Sequence, residues 1–220
     1  MLKSNKQTKH SKKMKTQKKA EVQAKRAFTL IEMIGVLAVI AILAALLIPK
    51  IFEAINNARV NNAAVSYNTV KSGLADHYAK WGSILSSNGV TVAVGNEPNH
   101  FDKVLVSEGF LDKPFHVKIG DGVGNHVHVT NAVLISIAPD GANQAYDLDG
   151  SAGVNLNDAI GGAVVEAVIT GVTELDAKDL NDRIDGVSLG TAVGTSDFVG
   201  RVKYTAGTPT TTVKIYVTHR

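Results

Sequence analysis

Residues 28–49 read FTLIEMIGVLAVIAILAALLIP, and this stretch decides the fold. Its first 21 residues contain a single charged side chain, Glu32. At a rise of 1.5 Å per residue, a helix of this length spans roughly 31 Å, about the thickness of one hydrocarbon core. Pro49 closes the run, and neither Lys nor Arg interrupts it. The pattern predicts a helix over 28–48 that crosses a membrane once.

The segment before this run is strongly basic. Residues 1–27 hold ten Lys or Arg and one Glu, whereas the rest of the 220-residue chain has a net charge of −6. Segment 1–27 has too little apolar surface to form a core. The positive-inside rule places it in the cytoplasm and residues 49–220 outside the inner membrane, in the periplasm. Because the positive charge belongs to this leader, we do not expect the body to bind nucleic acid.

Composition excludes several kinds of chemistry. The chain has no Cys, so a disulfide scaffold, a thiolate zinc site, an iron–sulfur cluster and a cysteine nucleophile are ruled out. We find no nucleophile elbow around a Ser and no phosphate-binding loop. The sequence predicts no active site, and we expect the protein not to be an enzyme.

Three interpretations of the apolar run are open. A secretory signal peptide would be removed before the body, but no clean small-x-small site precedes the body, and Ala41–Ala45 within the run is a weak candidate. An uncleaved signal anchor would explain the length and the orientation but would give Glu32 no role. A carboxylate at mid-bilayer costs about 2.5–3.5 kcal/mol. The third interpretation uses this carboxylate.

Lys25-Arg26-Ala27, followed by Phe28-Thr29-Leu30-Ile31-Glu32 and the apolar run to Pro49, resembles the class III signal of type IV pilins and type II secretion pseudopilins. The resemblance implies that a prepilin peptidase cleaves between Ala27 and Phe28 and methylates the new amine of Phe28. The family usually has Gly before the cut, and Ala27 is the small alternative. Glu32 lies fifth and Pro49 twenty-second after the cut, as in the family pattern.

The same resemblance implies the partners. They are further copies of the chain, other pilin-like subunits, the prepilin peptidase and an inner-membrane platform protein. A secretin and an assembly ATPase act indirectly.

Assembly gives Glu32 a physical role. Its carboxylate can pair with the Phe28 amine of a neighbouring subunit, and a buried pair of this kind fixes register more than it adds stability. Pro49 predicts a kink or a locally melted stretch, because proline lacks the amide N–H and clashes with the preceding turn. Close approach of helices in lipid is favoured by small side chains, here Gly35, Ala38, Ala41, Ala44 and Ala45.

Beyond the run, residues 49–81 predict an amphipathic second half of one long helix, Phe28–Lys80. Residues 82–220 predict a globular domain, so the fold class is α+β: a pilin-like long helix packed on a C-terminal antiparallel sheet. Apolar side chains recur at spacings of three and four on one helix face: Phe52, Ile55, Ala63, Tyr67, Val70, Leu74 and Tyr78.

Alternation and turn residues predict the elements of the globular domain. A short helix is expected over Leu105–Leu111. A helix pair resembling a helix-hairpin-helix is expected within 154–186, with helices Val164–Ile169 and Leu175–Ile184. Five strands are expected: Phe115–Ile119, His126–Thr130, Ala132–Ala138, Phe198–Tyr204 and Thr211–Thr218.

Residues 147–158 suggest a calcium loop. Oxygen donors recur at the spacing of an EF-hand or dockerin loop, although Ala152 stands where the turn prefers Gly and Asp158 where a bidentate Glu is usual. An Asp- and Gly-rich surface turn is the simpler interpretation. The candidate ligands are Asp147, Asp149, Ser151, Gly153, Asn155 and Asp158. Apart from calcium, no cofactor is predicted.

His126 and His128 share one face of a predicted strand, and His116 lies on a possible neighbour. We interpret this as a solvated strand face rather than a zinc site.

The sequence therefore predicts a structural subunit of a pilin-like filament, located first in the inner membrane and then in a periplasmic or cell-surface filament. A type II secretion pseudopilus and a type IV pilus both fit. The lack of Cys favours the pseudopilus, because many long-pilus subunits of the family carry a C-terminal disulfide. The alternative function is a signal-anchored periplasmic binding module, stabilised by calcium.

Overall fold

The computed structural model divides the chain into two units, Met1–Leu47 and Ile48–Arg220. The elements in chain order are α1 (Leu30–Trp81), β1 (Ser86–Ser87), β2 (Val90–Thr91), α2 (Phe101–Ser107), β3 (His126–Ala132), β4 (Gly162–Val172), α3 (Glu174–Ile184), a 3₁₀ turn (Val187–Leu189), β5 (Val202–Tyr204) and β6 (Thr211–His219). The structure describes residues 28–84, 86–87, 90–91, 100–132, 140, 145–150, 162–207 and 209–219.

Helix α1 is continuous from Leu30 to Trp81, which confirms the predicted long helix. Pro49 lies inside it without a break in helical assignment. Proline removes one hydrogen bond from the ladder, and the flanking bonds keep the segment helical. Of the two alternatives predicted at Pro49, the locally melted stretch is therefore wrong, and the kink stays a prediction.

Within the second unit, α1 buries one stripe of side chains at spacings of three and four: Val60, Ala63, Tyr67, Val70, Leu74 and His77. The predicted stripe was partly wrong. Phe52 and Ile55 are 67% and 44% exposed, because the buried part of the helix begins only at Val60. Tyr78 is 50% exposed, because a step of three from Leu74 brings His77 to the core instead.

The main sheet is antiparallel throughout, with strand order β3-β4-β6-β5. Together with α1 it confirms the α+β class. β3 and β6 confirm the predicted strands His126–Thr130 and Thr211–Thr218. The predicted strand Phe198–Tyr204 shortens to β5, since Val199 makes only an isolated bridge with Asp147. Most of the predicted strand Ala132–Ala138 lies outside the described residues.

Two predicted elements are wrong. Val164–Ile169 is part of strand β4, not the first helix of a pair, because its β-branched side chains pack on both faces of the sheet. Phe115–Ile119 is irregular backbone. Its alternation is real, since Phe115, Val117 and Ile119 are buried, but the segment packs on the core without joining a ladder.

The remaining helices close one side of the core. Helix α3 confirms the second predicted helix, and the Thr173 side chain caps it by accepting from Asp176 N at 3.3 Å. Asp176 Oδ1 in turn accepts from Asn56 of α1 at 2.6 Å, and Arg183 donates to Asn57 at 3.1 Å. Helix α2 lies four residues earlier than the predicted Leu105–Leu111.

The two faces of the sheet differ in chemistry. Because side chains alternate along a strand, Val127, Val165 and Ile215 face the main core that the α1 stripe joins. The opposite face carries His128 and Glu166, and Glu166 is fully buried.

Candidate functional site

The start of α1 forms a reciprocal cap between Thr29 and Glu32. Glu32 Oε2 accepts from Thr29 N at 2.8 Å and from the Thr29 hydroxyl at 2.7 Å. Thr29 Oγ1 in turn accepts from Glu32 N at 3.3 Å. This is a capping box, which satisfies backbone donors that a helix start leaves unpaired. The single carboxylate of the apolar run therefore has hydrogen-bond partners within its own chain.

The apolar run is exposed along the part of α1 in the first unit. An 18-residue window reaches a mean hydropathy of 2.8, and none of it is buried. Phe28 and Leu30 are 77% and 78% exposed, and a Cβ added at Gly35 would meet nothing within 4 Å. A bare apolar helix of this length fits a bilayer or a bundle of like helices.

The predicted processing and assembly residues fall at this helix start. Phe28 precedes the cap, Glu32 is part of it, and Pro49 lies further along the same helix. Ala27 lies outside the described residues. Of the two residues that flank the predicted cut, the structure therefore describes only Phe28. Sequence reasoning missed the role of Thr29, although Thr-x-x-Glu before an apolar run is the usual signal of a capping box.

Residues 23–48 carry the prokaryotic N-terminal methylation motif. The motif is the class III signal of type IV pilins and pseudopilins. The match covers the basic flank, the predicted cut and nearly all of the apolar run. No curated protein and no solved structure matches the chain. The methylation motif thus supports a prepilin-like substrate and agrees with the predicted resemblance.

The calcium candidates fall largely outside the described residues. Ser151, Gly153, Asn155 and Asp158 are among those not described. Asp147 and Asp149 are described, and Asp147 Oδ1 accepts from Gly150 N at 2.8 Å in a tight turn. Among the described residues, no group of three or more His, Cys, Asp or Glu side chains could hold a metal ion. The calcium loop stays a prediction.

The histidines differ from the predicted solvated strand face. His126 and His128 do share a face of β3, but both are only partly exposed and are hydrogen-bonded to each other at 3.0 Å. His128 Nε2 lies 2.8 Å from Oε1 of the buried Glu166. His116 is exposed and lies on the irregular segment 115–119, outside strand β3. The solvated interpretation is wrong because pairing of β3 with β4 brings a buried carboxylate opposite His128.

Buried polar groups around Glu166 were not found from the sequence. The Tyr146 hydroxyl donates to Glu166 Oε2 at 2.5 Å, and Lys214 Nζ lies 3.8 Å from Oε1. Lys203, on β5, is 1% exposed and its Nζ lies 4.4 Å from the Tyr146 ring centroid. Burial lowers the pKa of Lys203 to about 8. One signal was available: a lone Glu within the β-branched run of β4 indicates a buried charge.

Proposed function

We propose that this chain is a prepilin that is cleaved between Ala27 and Phe28, methylated on the Phe28 amine, and polymerised through 28–48. The observation that carries the proposal is the N-terminal methylation motif on an exposed apolar helix whose one carboxylate is Glu32. Before assembly the helix is held in the inner membrane with its basic flank in the cytoplasm.

The capping box explains how Glu32 is accommodated before assembly. A lone carboxylate in lipid is costly, and its two hydrogen bonds from Thr29 lower that cost. On polymerisation the new Phe28 amine of a neighbouring subunit supplies a charged partner, which is a stronger hydrogen-bond donor than a hydroxyl. We infer that Glu32 exchanges the local bonds for the intersubunit pair, which sets axial register.

Within this class, a type II secretion pseudopilus is favoured over a type IV pilus. The support is that the chain contains no Cys for a C-terminal disulfide. A prepilin peptidase and a membrane platform protein are then direct partners, and an ATPase supplies the energy.

The first experiment is the intact mass of the protein isolated from its native envelope. We expect a species that begins at Phe28 and carries one additional methyl group. A chain that retains residues 1–27 would instead support a signal-anchored binding module. A chain that begins near Pro49 would mean ordinary secretion, and it would leave Glu32 without an assembly role.

The second experiment separates processing from assembly. We expect Glu32→Ala to be cleaved and methylated but to form no filaments when the sheared fraction is examined by electron microscopy. Glu53→Ala is the matched control, because Glu53 lies on the same helix with its side chain 62% exposed beside Lys50. Filaments of Glu32→Ala in wild-type amounts would refute the assembly role.

A further inference from the structure

A continuous hydrogen-bonded chain joins β3 to β4 on the sheet face opposite the main core. His126 Nδ1 lies 2.7 Å from Gly124 O, and His126 Nε2 lies 3.0 Å from His128 Nδ1. His128 Nε2 lies 2.8 Å from Glu166 Oε1. Glu166 Oε2 accepts a hydrogen bond from the Tyr146 hydroxyl. All three links of the imidazole chain have ordinary hydrogen-bond lengths.

Counting hydrogens along this chain gives a definite result. The Gly124 carbonyl and an ionised Glu166 carboxylate are both acceptors, and two imidazole rings lie between them. Three links therefore require three hydrogens, whereas two neutral imidazoles carry only two. The missing hydrogen must be one extra proton, held by His126, by His128 or by Glu166.

We propose that the chain from Gly124 through His126 and His128 to Glu166 binds one proton in the folded protein, and that this proton fastens strand β3 to β4. β3 is an edge strand, paired with β4 alone among the described strands. Loss of the proton leaves two acceptors facing each other at one link. The pairing of β3 with β4 at the edge of the sheet is then weakened as the pH rises.

The groups around the hydrogen-bonded chain favour an ionised Glu166. Burial raises the pKa of Glu166, but the His128 hydrogen bond, the Lys214 charge and the Tyr146 hydroxyl outweigh it, so the pKa lies below its ordinary value. The other described ionisable groups close to the chain include Asp121, whose Oδ1 accepts from Gly124 N at 3.4 Å, and His100, edge-on to His126 at 5.4 Å. Asp102 lies beside His100, Lys203 lies over the Tyr146 ring, and Tyr216 lies beside Tyr146 with its neighbour His219.

Two substitutions remove the need for the proton by different routes. Glu166→Gln supplies the third hydrogen from its own amide and still accepts from Tyr146, so the chain closes with two neutral rings. His126→Phe removes one ring, so a neutral His128 can donate to Glu166. The second variant keeps the Glu166 charge and therefore leaves the environment of Lys203 unchanged. His116→Phe is the matched control, since His116 is exposed and outside the chain.

The test is urea unfolding of the full chain in detergent micelles, followed by the fluorescence of Trp81, the single Trp. A proton held only by the folded state makes the unfolding constant rise with pH until the folded state releases that proton, by up to about tenfold per pH unit. We expect the ratio of the wild-type to the variant unfolding constant to rise with pH within that limit for Glu166→Gln and His126→Phe, and to stay constant for His116→Phe.

A second measurement does not depend on the stability of any variant. Nitrogen NMR of the full chain, labelled at histidine, distinguishes protonated from bare ring nitrogens. We expect three of the four ring nitrogens of His126 and His128 to carry hydrogen near neutral pH. Two neutral rings beside an ionised Glu166 would overturn the proposal, as would equal pH slopes in wild type and both variants. Either result is independent of filament assembly.

Discussion

Tyr67 is the single side chain that hydrogen-bonds the second half of α1 to the centre of the sheet among the described residues. Its ring is 2% exposed, and its hydroxyl donates to Tyr216 O on β6 at 2.9 Å. Burial raises the pKa of Tyr67 to about 12, so the hydroxyl keeps its proton at neutral pH and remains a donor. Tyr67→Phe removes this donor and preserves the packing of the ring.

The expected cost of Tyr67→Phe follows from that geometry. A hydrogen bond of this kind contributes about 1 kcal/mol, and a buried carbonyl that loses its donor adds to the cost, so we expect about 1–2 kcal/mol. Tyr67→Ala also removes a buried ring and should cost about 3–5 kcal/mol. With a urea dependence of about 2 kcal/mol per molar, the midpoint should fall by about 0.5–1 M for Tyr67→Phe.

The assay is urea unfolding of the full chain in micelles, monitored through Trp81. Tyr78→Phe is the matched control, because Tyr78 lies on the same helix and is 50% exposed. Its effect should stay within about 0.5 kcal/mol. A Tyr67→Phe midpoint equal to that of Tyr78→Phe would refute the view that this bond holds the helix on the sheet.

Three further predictions concern the second unit. Gly171→Ala should destabilise by about 2–4 kcal/mol in the same urea assay, because Gly171 has a φ of +67° and an added Cβ would lie 2.7 Å from Asp121 Cβ. Lys203 has its pKa lowered by burial to about 8 from 10.5, so the folded state releases a proton that the unfolded state retains as the pH rises between these values. The unfolding free energy of wild type should therefore rise relative to Lys203→Met across that interval, by up to about 3 kcal/mol. If the calcium loop exists, saturating calcium should raise the melting temperature by about 5–10 °C, and Asp158→Asn should abolish the rise.

Each of these three predictions would be contradicted by one result. A Gly171→Ala variant as stable as wild type would mean that the turn beside Asp121 readily relaxes. Parallel stability curves for wild type and Lys203→Met would mean that Lys203 keeps its charge without cost. A melting temperature that ignores both calcium and a chelator would eliminate the calcium loop.

The long helix and the last strand were predictable because their signals are local. An apolar run with a charged flank and a closing proline needs no partner to be recognised, and the alternation of β6 shows directly in its sequence. The signal of the Thr29–Glu32 cap is equally local, because Thr-x-x-Glu before an apolar run is typical of a capping box.

The wrong predictions of secondary structure fall where one sequence pattern is compatible with two structures. The run Val164–Ile169 is apolar without a clear period, which fits a buried strand as well as a buried helix. Its β-branched content favours the strand, whereas the resemblance of 154–186 to a helix-hairpin-helix predicted a helix. Phe115–Ile119 alternates because its side chains enter the core in turn, and alternation alone does not create a neighbouring strand.

A lone Glu in β4 indicates a buried charge, but the residues that surround Glu166 could not be predicted from the sequence. His128 and Glu166 are 38 residues apart, and only the register of β3 on β4 brings them together. A shift of one residue in that register would turn Glu166 towards the apolar core. The site is thus a product of tertiary pairing, not of a motif.

The position of β6 between β4 and β5 has a consequence for biogenesis. β6 is the last described strand in chain order, yet it pairs with both neighbours and accepts the Tyr67 hydroxyl. The ribosome therefore synthesises α1, β3, β4 and β5 before β6, the strand that joins β5 to β4. Until β6 has been synthesised these parts keep apolar surface uncovered, so the sheet closes last at its C-terminal strand, and chaperones are needed most in that interval.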